Sequence, residues 1–138
     1  MRTKILRQVH KSKSGKVVLN NLDLEGHERA TVFRIASFGL DVETIIPSHI
    51  PHSKNPDLLL MGTFWEMKGP TKLNESTITT KFRKAIKQSG GRAVFDLNNV
   101  KTNPIEVEEF ILKLFKEMRG MRRIIIIRKD GTAVDIIK

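Results

Sequence analysis

The chain contains no cysteine, which removes disulfides, thiolate metal sites, zinc ribbons and a cysteine nucleophile in one step. Tyrosine is also absent and tryptophan occurs once, so the core has to come from Ile, Leu, Val and Phe. Long hydrophobic runs are missing as well. LLLM at residues 58–61 and IIII at 124–127 fall far short of the roughly 20 apolar residues needed to cross a bilayer. The first residues hold no apolar signal-type stretch, and the expectation is a soluble chain with no membrane partner. Gly-rich dinucleotide loops, P-loops and serine nucleophile elbows are absent too. Acidic residues are scarce: 15 Asp plus Glu stand against 25 Lys plus Arg, a net charge of +10 over 138 residues. That excess favours contact with a polyanion such as nucleic acid.

This length suits one core, large enough to bury about two thirds of the surface the unfolded chain would expose. Residues 1–22 read as a basic arm or marginal hairpin, with six Lys or Arg before Val17 and two short apolar pieces flanking a turn-prone stretch at 11–16. Residues 23–138 read as a single domain. Asp23 is a candidate N-cap for a helix whose Val32, Phe33, Ile35 and Ala36 make an apolar stripe ending at Gly39. A strand at 40–47 follows, then a loop containing His49 and His52. Two strands at 57–60 and 63–68 turn at Met61-Gly62. A helix at 76–89 places Ile78, Phe82, Ala85 and Ile86 on one side. A strand at 93–97, a helix opening at Pro104 and a C-terminal hairpin at 123–128 and 133–137 complete the chain. Helices and strands in this mixed order predict an α/β (α+β) layer structure with a mixed central sheet flanked by helices.

The hairpin at 56–68, PDLLLMGTFWEMK, carries the chemistry. Strand side chains alternate faces, so Glu66 and Lys68 share one face with Phe64, while Thr63, Trp65 and Met67 share the other. Short hairpins pair residues symmetrically about their turn, which brings Asp57 to the end where Glu66 and Lys68 lie. Two converging carboxylates raise each other's pKa, a cost that a divalent cation removes. Hard oxygen ligands suit Mg²⁺ or Mn²⁺, with Zn²⁺ a poorer fit, and such an ion can polarise a phosphate and lower the pKa of an attacking water. Lys68 could orient that water or neutralise charge on the phosphate. On the helix that follows, Lys81, Arg83, Lys84 and Lys87 suit a phosphate track. The four histidines do not fall at metal-ligand spacing on any helix, although His49 or His52 could contact phosphate.

Pro56-Asp57, followed after eight residues by Glu66-Met67-Lys68, resembles the PD-(D/E)xK nuclease signature. EGHERATVFRIASFGLDVE at 25–43 resembles the opening of Holliday-junction resolvases and related enzymes, in which a helix bearing a Glu precedes a Gly-hydrophobic-x-Val strand. The likeness covers about residues 23–97. It is closer to the small C-terminal nuclease domains of polymorphic and contact-dependent-inhibition toxins and of some phage head-morphogenesis proteins, through Trp65-Glu66-Met67-Lys68, the lysine-rich helix ending at Gln88, and Phe95-Asp96-Leu97. The resemblance implies a restriction-endonuclease-like core. It also implies metal held by Asp57 and Glu66, catalysis by Lys68, a further carboxylate from Glu28 or Glu25, and a polar substrate or active-site group at Gln88. Glu28 lies on the helix side of Val32 and Ile35, which fits that role. The interval from Asp57 to Glu66 is shorter than in many members.

Three readings follow. The first is a metal-dependent nuclease acting on RNA such as tRNA, or on DNA, as a toxin domain delivered within a larger protein, acting in the cytoplasm and covered by an acidic immunity protein. The second is a metal-independent ribonuclease of the barnase, colicin and RelE-like kind, using Lys68, Lys81, Arg83 and a His. The third is a nucleic-acid-binding module without catalysis.

Overall fold

The computed structural model describes all residues from Met1 to Lys138. In chain order the elements are β1 (Arg2–Arg7), β2 (Val17–Leu19), α1 (Gly26–Ser37), β3 (Val42–Thr44), β4 (Leu58–Leu60), β5 (Thr63–Lys68), α2 (Glu75–Gln88), β6 (Arg92–Asp96), α3 (Pro104–Glu117), β7 (Arg123–Ile127) and β8 (Thr132–Ile137). All eight strands form one mixed sheet in the order β1-β8-β7-β6-β5-β4-β3-β2. The α/β expectation holds, as does the run of helix, three strands, helix and strand between α1 and β6.

Both faces of the sheet centre are covered, and β7 shows how the sequence achieves this. In its run of isoleucines, Ile124 and Ile126 join the core beneath α2 and α3 with Phe82, Phe95 and Phe115. Ile125 and Ile127 point the other way, toward α1, with Val32, Ile35 and Trp65. An alternating strand buried on both faces must be apolar throughout, as here. Each such side chain contributes about 1.5–3 kcal/mol on burial.

The hairpin β4–β5 turns on Met61 and Gly62, which both have positive φ, 51° and 76°. That pair of left-handed conformations matches the twist of the flanking strands and fixes the register: Leu60 faces Thr63 and Leu58 faces Trp65. Strand β5 then runs parallel to β6, with Glu66 beside Ala93 and Lys68 beside Phe95.

Three local features differ from expectation. The first helix is capped at Glu25, not Asp23, and the Glu28 side chain returns to accept from the Glu25 backbone N–H at 3.1 Å. The strand expected over 40–47 is confined to Val42–Thr44, because Pro47 and the polar segment beyond it cannot extend the ladder. The apolar pieces near the N-terminus do not pair with each other. Residues 2–7 run antiparallel to β8 and residues 17–19 parallel to β3, so they form the two opposite edges of the sheet. No helix is long and apolar enough to cross a membrane.

Candidate active site

The hairpin register places Asp57 one step beyond the Leu58–Trp65 pair, opposite Glu66. Both carboxylates therefore face α2. Glu66 is only 2% exposed, and α2 supplies what so deeply buried a charge requires. The Ser89 hydroxyl donates to Glu66 Oε2 at 2.9 Å, and Lys81 Nζ lies 3.3 Å from Oε1. The same Nζ is 3.0 Å from Asp57 Oδ2, an oxygen that also accepts the Met67 backbone N–H at 2.8 Å. One ammonium thus bridges two carboxylates from neighbouring strands.

Lys81 reaches this position through helical spacing. It lies three residues after Ile78 and four before Ala85, both fully buried, so it borders the apolar stripe instead of the solvent face. Burial alone would lower its pKa, but the attraction of Asp57 and Glu66, reinforced by hydrogen bonds to both, raises it above the ordinary 10.5. The ammonium stays charged across the neutral range.

Lys68, half-buried, lines a hollow of about 290 Å³ with Lys81, Lys84, Ser76, Thr77 and Thr80. Of the other cations expected to form a track on α2, Lys84 reaches this hollow, whereas Arg83 and Lys87 are exposed and lie outside it. Gln88 acts on the loop before Asp57: its Oε1 accepts the Asn55 backbone N–H at 2.7 Å. Glu28 caps its own helix, and its carboxylate gathers with Glu25 and His27 within 4.8 Å of one another. The structure thus brings together Asp57, Glu66, Lys81 and Lys68, and leaves Glu28, Arg83 and Lys87 outside that group. His49 and His52 are exposed on their loop.

Sequence reasoning missed Ser89. A serine just beyond the last turn of a helix reads as a C-terminal cap, and nothing in its neighbours points to a carboxylate 23 residues earlier. On the opposite face of the sheet, Asp96 is fully buried and accepts from Thr31 Oγ1 and Arg34 Nη1, both at 2.6 Å, and from Asn98. Burial would raise its pKa, but these hydrogen bonds hold it below the usual 3.8. Asp96 locks α1 to the end of β6.

Asp57 and Glu66 are the side chains here that could hold a divalent cation, at the position the Lys81 ammonium bridges. The donors are hard oxygens from two adjacent strands that already converge on one positive charge, with Glu66 fixed by Ser89 and Asp57 more open, its side chain 35% exposed. Hard, oxygen-rich donors of this kind suit Mg²⁺ or Mn²⁺.

A mixed sheet covered by helices, with an acidic pair and lysines at one end of its central strands, defines the class of α/β domain to which this basic chain belongs. The profile of the contact-dependent growth inhibition CdiA C-terminal domain matches residues 54–133, more than half of the chain. The chain belongs to this family of bacterial toxin domains. Its fold is similar to that of a chain in the solved CdiA-CT/CdiI toxin and immunity complex from Burkholderia pseudomallei, with a TM-score of 0.62 and 22% identity, covering 90% of this chain and 100% of that one. Comparison with curated proteins gives no match.

Proposed function

We propose that the domain is a metal-dependent nuclease of PD-(D/E)xK type that hydrolyses phosphodiester bonds of RNA or DNA as a growth-inhibiting toxin. The observation that carries this reading is the convergence of Asp57 and Glu66 on one cation, beside Lys68, in a strongly basic chain. Asp57 and Glu66 would hold Mg²⁺ or Mn²⁺, which would supply Lewis acidity toward a phosphate oxygen. Lys68, on the face of β5 shared with Glu66, is the group to orient the attacking water or to balance charge building on the phosphate. Ser89 keeps Glu66 in place. The net charge of +10 and the likeness to a toxin solved with its immunity protein support an acidic immunity partner covering the site. Family membership supports delivery within a larger toxin to a cytoplasmic site of action.

A second reading has an observation in its favour. Lys81 supplies the positive charge between the carboxylates without any metal, as a metal-independent ribonuclease would use it. Incubation of the protein with total tRNA and with plasmid DNA, with Mg²⁺, Mn²⁺ or excess EDTA, separates the two. The first reading expects cleavage that EDTA abolishes and that Glu66→Gln and Lys68→Ala reduce by about 10²–10⁴. Cleavage surviving thorough chelation establishes the second reading in its place. No cleavage of either nucleic acid under any condition overturns both.

A further inference from the structure

Beside the acidic pair, three hollows join into one trough. The hollow of Lys68, Lys81 and Lys84 shares Lys68 and Thr77 with a second of about 240 Å³, which extends over Gly69 and Pro70 to Lys72. That second hollow shares His27, Gly69 and Thr71 with a third of about 430 Å³, which reaches Asn98, Asn99 and Lys101.

The lining of this trough is chemically one-sided. Not one Asp or Glu lines any of its three parts, in a chain that has 15 of them. Hollows elsewhere on the molecule include Asp41 and Glu43, or Glu108, Glu109 and Asp130. Lysines 68, 72, 81, 84 and 101 line the trough together with threonine hydroxyls and asparagine amides. Its two loop walls are fastened to each other, since the Lys101 backbone N–H donates to the Thr71 carbonyl at 2.8 Å. At the bend, Gly69 has no side chain, and the nearest atoms an added Cβ would meet are Asn99 Nδ2 and the Asp96 carbonyl oxygen, at 3.6 and 3.8 Å.

We infer that this trough is the subsite for the sugar-phosphate backbone of the nucleic acid, carrying the strand from the acidic pair past His27 to Lys101. Cations spaced along a groove without carboxylates set affinity through phosphates and read no sequence, while hydroxyls and amides donate to phosphate and sugar oxygens. Arg83 and Lys87, on the exposed outer face of α2, lie outside the trough. This inference rests on the nuclease reading for the direction of the strand, but it makes a separate prediction about binding.

The test measures binding in a Glu66→Gln background, with fluorescein-labelled 12-nucleotide RNA and the matching DNA, by anisotropy over a series of salt concentrations. Lys72→Glu with Lys101→Glu is expected to weaken binding at least tenfold and to flatten the slope of log affinity against log salt by about 1.4–1.8, from roughly 0.7–0.9 per phosphate contact. Lys113→Glu with Lys116→Glu on α3 makes the same change of charge outside the trough and is expected to weaken binding less than threefold. Equal losses in the two double variants, or none in the first, overturn the trough. A wild-type protein that binds through the trough yet cuts nothing refutes the nuclease reading and leaves the subsite standing. Loss confined to the RNA probe identifies the substrate as RNA, and loss confined to the DNA probe as DNA.

Discussion

The Ser89 hydroxyl donates to Glu66 Oε2 across 2.9 Å, joining the end of α2 to a carboxylate in the middle of β5. Both residues are 2% exposed. Removing the hydroxyl leaves a buried acceptor one partner short, which costs about 1–3 kcal/mol. Ser89→Ala is therefore expected to lower the thermal midpoint without altering the circular dichroism spectrum at low temperature. An unchanged midpoint would mean that water replaces the hydroxyl and that Glu66 is positioned by Lys81 alone.

Lys81→Met strips the bridging charge from between Asp57 and Glu66. Breaking a buried ion pair on one side costs about 3–5 kcal/mol, so the variant should melt well below wild type. Mn²⁺ should then raise its midpoint by more than it raises that of wild type, because ion and ammonium compete for the same carboxylates. Calorimetric melts of both proteins with and without Mn²⁺ check this directly, and equal metal-dependent shifts would count against the competition.

The pH dependence of that pair has a definite sign. The Lys81 pKa is raised in the folded protein, so its contribution to stability is fully present below the free-lysine value of 10.5 and is lost as pH rises through the folded value. The gap in denaturation free energy between wild type and Lys81→Met should stay constant across the neutral range and close only at strongly alkaline pH. Closure near neutral pH would show that the ammonium is not held as described.

Asp96 titrates with the opposite sign. Its pKa is lowered on folding, so the stability it confers is present above 3.8 and is lost as pH falls through the folded value. Asp96→Asn should cost about 3 kcal/mol at neutral pH, where Arg34 loses its buried partner, and the difference from wild type should shrink in strong acid. Urea titrations at a series of pH values measure both quantities.

Gln88 tethers the loop that delivers Asp57, through the Asn55 backbone N–H. Gln88→Ala should cost about 1 kcal/mol and should speed limited proteolysis within residues 46–55 while leaving cleavage elsewhere unchanged. An unaltered digestion pattern would assign the ordering of this loop to other contacts.

Much of this was legible in the sequence because short-range rules govern it. Met61-Gly62 announced the turn, and the turn fixed which residues of β4 and β5 face each other. Strand alternation placed Glu66 and Lys68 on one face, and the pattern of Ile78, Phe82 and Ala85 set the inner side of α2. Lys81 was within reach of the same reasoning, since its spacing from Ile78 and Ala85 puts it at the border of the buried stripe. A count of cations does not separate it from Arg83, Lys84 and Lys87 on the same helix. Ser89 and the Asp96–Arg34 pair were not legible, since both depend on how α2 and α1 cross the sheet, which no local pattern encodes. The first twenty residues illustrate the same limit. Val17 and Val18 pair with a strand 25 residues downstream, and Ile5 with one more than a hundred residues away.

Strand β1 lies antiparallel to β8, with Arg2 beside Ile137 and Arg7 beside Thr132. A pull on the N-terminal end of the chain would therefore load this seam as a zipper, opening one rung at a time, instead of shearing all its rungs together. The strands at the sheet centre are sealed on both faces, whereas β1 is an edge strand with almost all of its residues exposed. A machine that draws the polypeptide in by that end would meet this edge seam before it loads the sealed centre of the sheet.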